Sequence, residues 1–114
     1  MQTVLYVSPM RTGDEVEVRR IHERFPLASL EEGVGVERLV AFIGSGLYAL
    51  EITVGSGDFQ ELFHRFLRVA AVQELFTQLK PFVQDLPTPD EDTADMPLAA
   101  PMLVWRRSGD GGAP

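Results

Sequence analysis

Apolar and polar residues alternate along this chain in short runs separated by longer helical stripes. The segment QTVLYVS, Gln2 to Ser8, is rich in β-branched and aromatic residues and predicts a first strand. Val18, Ile21, His22 and Phe25 then recur at the i, i+3, i+4, i+7 spacing of an amphipathic helix. Thr12 and Glu15 have capping-box spacing ahead of it, Asp14 adds negative charge near its start, and Pro26 marks its end. A turn at Gly33 leads into VERLVAFIGSGLYALEITV, Val36 to Val54, which predicts two strands reversing at Ser45–Gly46. Counting outward from that turn pairs Ile43 with Tyr48, Ala41 with Leu50, Leu39 with Ile52 and Glu37 with Val54. Only Glu37, at the far end, is polar on that face. The opposite face pairs Phe42 with Ala49, Val40 with Glu51 and Arg38 with Thr53, and brings Arg38 and Glu51 together diagonally.

Asp58 and Glu61 repeat the capping-box spacing before a stripe of Phe59, Leu62, Phe63, Phe66, Leu67 and Ala70. Val72, Leu75, Phe76 and Leu79 form a second stripe out of phase with the first, so the helix is expected to break near Val69–Ala71 and to end at Pro81. An acidic, proline-punctuated connector occupies residues 85–98, and APMLVWRR, Ala100 to Arg107, predicts a last strand. Residues 108–114 read as a disordered tail. The order β-α-β-β-α-β over residues 1–107 is that of an α+β, ferredoxin-like domain, an antiparallel sheet with its helices on one face.

Composition narrows the chemistry more than it defines it. A length of 114 residues suits one domain, and the lack of cysteine removes disulfides, thiolate nucleophiles and cysteine metal sites. The net charge is −7, but DLPTPDEDTADMP, Asp85 to Pro97, holds five acids and no base, which leaves −2 for the rest. That segment reads as a solvated connector. Scattered arginines without an aromatic platform give no basis for nucleic-acid binding. No apolar run approaches the roughly 20 residues of a membrane helix, and the amino-terminal segment lacks signal-peptide features, so a soluble cytoplasmic protein without membrane contact is expected. The two histidines lack metal-ligand spacing and neither GSG continues as a phosphate loop, so no metal or cofactor is expected.

Two segments, VGVERLVAFIGSGLYALEI with its Leu47–Tyr48 step and DFQELFHRFLRVAAVQELFTQLKPFV, resemble the tetracenomycin-type aromatic polyketide cyclases. The resemblance covers about the middle half of the chain and rests on apolar, loosely specified motifs. It implies a homodimeric α/β barrel, paired through the sheet faces, whose pocket between sheet and helices steers ring closure of a poly-β-ketone. Polar residues of that family on the second and third strands correspond here to Leu39 and Leu50, and its His-Pro step in the second helix corresponds to Val69–Ala70. His22–Glu23 matches a family His–acid pair.

His22 is the leading catalytic candidate: on an apolar stripe its pKa is movable, and it could exchange a proton with an enolisable ketone. Read structurally, it is a boundary histidine bonded to a backbone carbonyl. Tyr6, Tyr48 and Trp105 offer polar handles on large apolar bodies and, with Leu39, Leu50 and Phe63, would line a substrate pocket; aromatic residues at strand spacing are also ordinary core. His64 falls off its helix's apolar stripe and reads as solvated surface. Three functions fit: a cyclase-like enzyme working by proximity in a dry pocket, a cofactor-independent monooxygenase using Trp105, Tyr48 or His22, and a non-catalytic dimeric binder of an apolar aromatic or polyketide molecule.

Overall fold

The computed structural model describes residues 2–31, 35–88, 91–92, 95–96, 98–105 and 107. Strand β1 (Gln2–Pro9) is flanked by β3 (Leu47–Val54) on one side and β4 (Leu98–Ala99) on the other, and β2 (Val36–Gly44) completes the sheet beyond β3. All pairings are antiparallel, and the order β2-β3-β1-β4 is that of a ferredoxin-like α+β chain. The predicted turn at Gly33 lies outside the described residues, as do residues 108–114.

Ser45 and Gly46 both have left-handed backbone, with φ of 53° and 75°, the conformation a two-residue reversal between twisted strands requires. Register runs outward as the alternation predicts, through Ile43–Tyr48, Ala41–Leu50 and Leu39–Ile52. It departs at the far end, where a bulge between Val36 and Arg38 makes Val36, not Glu37, the partner of Val54. Val54 is fully buried, and the extra residue keeps a carboxylate from facing it.

Helices α1 (Glu15–Glu23), α2 (Phe59–Arg68) and α3 (Ala70–Leu79) contribute Val18 and Ile21; Phe63, Phe66 and Leu67; and Val72, Leu75, Phe76 and Leu79 to a single core with β1 and β3. Each large side chain so covered stabilises the fold by about 1.5–3 kcal/mol. Leu39 and Ile43 are partly buried, but Ala41, on the same face of β2, is exposed. The helical layer covers β1 and β3 and leaves the middle of β2 open.

Asp58 caps α2 as its spacing predicts, accepting from the Glu61 N–H at 3.1 Å. The other capping box does not form. Residues Thr12–Asp14 make a 3-10 turn, Glu15 becomes the first residue of α1, and the Asp14 carboxylate bonds Arg11 Nε at 3.3 Å instead of the helix end. Glu15 Oε2 is buried without a hydrogen-bond partner among the described residues. A second 3-10 turn, Leu27–Glu31, follows α1. The break between α2 and α3 falls at Val69, whose ψ of 127° is that of a strand. Because the break precedes it, Ala70 leaves the α2 stripe and is exposed.

The last strand is the main correction. Among the described residues of this stretch only Leu98–Ala99 pair, with Tyr6 and Leu5, whereas Met102 to Trp105 stand outside the sheet with Met102 97 % exposed. Pro101 has no N–H to give a ladder and disfavours regular continuation from Ala100. The sheet face away from the helices carries Leu5, Val7, Val40, Phe42 and Ala49, with paired Thr3 and Thr53 hydroxyls and the predicted Arg38–Glu51 ion pair. Among the described residues, no helix is long and apolar enough to cross a membrane.

Candidate functional site: a buried histidine–tyrosine pair

His22 lies in the last turn of α1, where helical periodicity turns its ring inward beside Ile21 and Val18. Its Nδ1 is 2.8 Å from the Val18 carbonyl oxygen, which can only accept, so Nδ1 carries the proton. The other nitrogen, Nε2, is 2.6 Å from the Tyr48 hydroxyl and accepts from it. The rings are 5.3 Å apart between centroids. Burial lowers the His22 pKa below the usual imidazole value, opposed by its hydrogen bond to Val18. Burial also pushes the Tyr48 hydroxyl well above the usual phenol range, with the Tyr6 charge adding to it. At neutral pH the pair is therefore an uncharged imidazole with an accepting lone pair facing an intact phenol.

Tyr48 is 1 % exposed, and β3 points it to the same face as Leu50 and Ile52. Beside it stands Tyr6, its ring edge-on to Tyr48 at 6.3 Å. The Tyr6 hydroxyl donates to the Gln84 carbonyl oxygen at 2.7 Å, and the Ser8 hydroxyl donates to the same oxygen at 2.7 Å. Burial pushes the Tyr6 pKa up to about 12, with the Ser8 hydrogen bond opposing and the Asp85 charge adding.

The other sequence-predicted residues separate into two groups. Leu50 and Phe63 are buried, Phe63 stacked between Phe59 at 5.4 Å and Phe66 at 5.9 Å, and Leu39 packs against the core from the β2 side. Trp105 is 74 % exposed, with the Arg107 guanidinium 5.7 Å over its ring. His64, expected in solvent, bonds the Glu91 carbonyl oxygen at 2.7 Å through Nε2 and holds the acidic connector to α2.

Two clefts lie away from the histidine–tyrosine pair. A cleft of about 1250 Å³ runs between Pro9–Arg11, one side of α3 and residues 81–88, and a smaller one of about 160 Å³ lies between the end of α1 and α3. Neither is lined by His22, Tyr6, Leu39, Tyr48, Leu50, Phe63 or Trp105. Sequence reasoning missed the larger cleft because part of its wall, residues 85–88, opens the segment read as a connector; Pro81 and Pro87 bracketing Phe82, Val83 and Leu86 were the signal that residues 81–87 pack.

No protein-family model matches the sequence, and no curated protein matches it. Among solved structures, the chain is similar to tetracenomycin F2 cyclase from Streptomyces glaucescens, a type-II polyketide cyclase, with a TM-score of 0.65 at 19 % identity over 94 % of this chain and 99 % of that one. At that identity the likeness speaks for architecture: over the matched length this chain has the fold of that cyclase.

Proposed function

We propose that this protein is a cyclase-like enzyme that guides ring closure of a poly-β-ketone, with His22 and Tyr48 as its acid–base pair. The observation that carries the reading is the 2.6 Å contact between His22 Nε2 and the Tyr48 hydroxyl on a scaffold shared with a polyketide cyclase. A methylene between two ketones gives its proton to Tyr48 Oη as the tyrosine's own proton passes to His22 Nε2. The enolate carbon then attacks a ketone carbon further along the chain, one carbon–carbon bond forms, and the alkoxide recovers the proton through Tyr48. Atoms and charge balance without a cofactor. Because Tyr48 is 1 % exposed, entry of the substrate requires the helical layer to part beside the exposed Ala41; Leu39 and Leu50 keep the face dry, and holding the two reacting carbons together supplies most of the acceleration.

A homodimer is part of the reading. The half-exposed Leu5, Val7, Val40 and Ala49, the exposed Phe42 and the unpaired Met102–Trp105 make an apolar surface suited to a second copy. The test supplies purified protein with a poly-β-ketone thioester and separates the products. Wild type should favour one ring-closed product, and Tyr48→Phe or His22→Ala should slow its formation by about 100-fold or more. A product mixture identical to the spontaneous one would end the reading.

Leu39 and Leu50 on the sheet, and a histidine–tyrosine pair that lines neither cleft, favour a second reading, a non-catalytic dimeric binder of an apolar molecule. Native mass spectrometry separates the two by reporting subunit number and retained ligand together. For a binder, His22→Ala leaves binding intact and no product forms. The monooxygenase reading predicts oxygen consumption, and the exposure of Trp105 removes one of the residues that supported it.

A further inference from the structure

Two buried hydroxyls converge on one oxygen. Tyr6 and Ser8, at i and i+2 on β1, are 0 % and 1 % exposed, and both donate at 2.7 Å to the Gln84 carbonyl. Two fixed donors aimed at a single carbonyl oxygen are what a ketone or an enolate oxygen needs, since negative charge gathers on that atom. The oxygen they hold belongs to an irregular segment without ladder partners. Leu79 accepts from the Phe82 and Val83 N–H groups where the segment begins, Asp85 takes a left-handed φ of 50° just after Gln84, and Gln84 lines the large cleft. A non-glycine residue in that conformation is unfavourable, and here it turns the Gln84 carbonyl into the core.

We infer that Tyr6 and Ser8 form a binding site for a carbonyl or enolate oxygen of a β-dicarbonyl ligand, that Gln84 occupies it as an internal stand-in, and that the strap of residues 81–88 yields the place when ligand enters the cleft. The inference deepens the cyclase reading and rests on it for the class of ligand. Burial pushes the Tyr6 pKa up to about 12, so its hydroxyl remains a donor toward an anion at neutral pH. Arg11 and Lys80 on the cleft wall favour an anionic ligand, while Asp14, bonded to Arg11, and Asp85 oppose it. Tyr6 also touches Tyr48 edge-on, so a ligand oxygen at this site lies one ring away from the acid–base pair.

The probe is dimedone, a cyclic β-diketone that is an enolate at neutral pH, with cyclohexanol as the ring control, titrated into isotope-labelled full-length protein. Dimedone should shift the amide signals of Tyr6, Ser8 and residues 84–85 and speed hydrogen exchange across 81–88, and cyclohexanol should do neither. Tyr6→Phe and Ser8→Ala should each weaken dimedone binding about tenfold. Arg20→Ala, on the exposed face of α1, should bind it unchanged, and a wild-type protein that binds dimedone through Tyr6 and Ser8 yet closes no ring would retain this site and lose the catalytic reading. Unchanged affinity in both hydroxyl variants overturns the inference. So does slower or unaltered exchange in the wild-type strap at saturation, a measurement that needs no variant to fold.

Discussion

Removing one oxygen tests the histidine–tyrosine pair directly. Tyr48→Phe keeps the ring that packs against Tyr6 and deletes only the hydroxyl that donates to His22 Nε2 at 2.6 Å. His22 is partly accessible, so water can serve the abandoned nitrogen and the loss should be about 1–2 kcal/mol. His22→Leu abandons instead the Tyr48 hydroxyl, which is almost fully buried and beyond water's reach, so about 2–3 kcal/mol is expected. In the double variant neither orphan exists. It should therefore be less destabilised than the two losses added, with a coupling of about 1–2 kcal/mol. Urea unfolding of all four proteins at one fixed concentration measures this, the fixed concentration removing any contribution from subunit association. Thermal midpoints should follow at about 4–8 °C per kcal/mol for a domain near this size. Losses that add to within about 0.3–0.5 kcal/mol would refute a formed bond between the two side chains.

Acid and alkali should act on opposite members of the same buried group. The folded-state pKa of His22 lies below its unfolded value of about 6.5, so the unfolded chain binds more protons there; the stability this group supports is complete above that pH and is lost as pH falls through the depressed value. The urea midpoint should drop across that window, and His22→Gln should flatten the drop. Tyr6, raised to about 12, and Tyr48, also raised, work the other way: their contribution is complete below about pH 10 and is lost as pH climbs through the raised values, so tyrosinate absorbance should rise together with unfolding. Phe63, fully buried between Phe59 and Phe66, sets the weight of the aromatic stack, and Phe63→Ala should cost about 3–5 kcal/mol by urea unfolding.

Legibility followed locality. The Ser45–Gly46 turn and the register beyond it could be counted from alternation, because a period of two leaves no freedom once a turn is placed. The break at Val69 was visible as a change of phase between two apolar stripes. What escaped were features set by distant partners or by their absence. The bulge at Glu37 answers to Val54 across the sheet, and Met102–Trp105 has the composition of a strand but follows Pro101, past which the pairing with β1 does not continue among the described residues. Within the candidate site, His22 was singled out for its place on an apolar stripe and Tyr48 for its place on a clean face, yet nothing local joined them. Nor could the convergence of Tyr6 and Ser8 on Gln84 be foreseen across more than seventy positions of sequence.

The lone extended residue at Val69 works as an elbow. Run straight from Phe59 to Leu79, one helix would be roughly 31 Å long, longer than the roughly 26 Å that an eight-residue strand beneath it spans. Its far end would overhang the platform with nothing to rest on. Bent at one peptide, the second arm swings toward α1 and sets Phe76, Thr77 and Lys80 as one bank of the large cleft. A single backbone torsion thus sets one wall of the recess, and straightening that joint would carry this bank away from the facing residues 9–11 and 81–88.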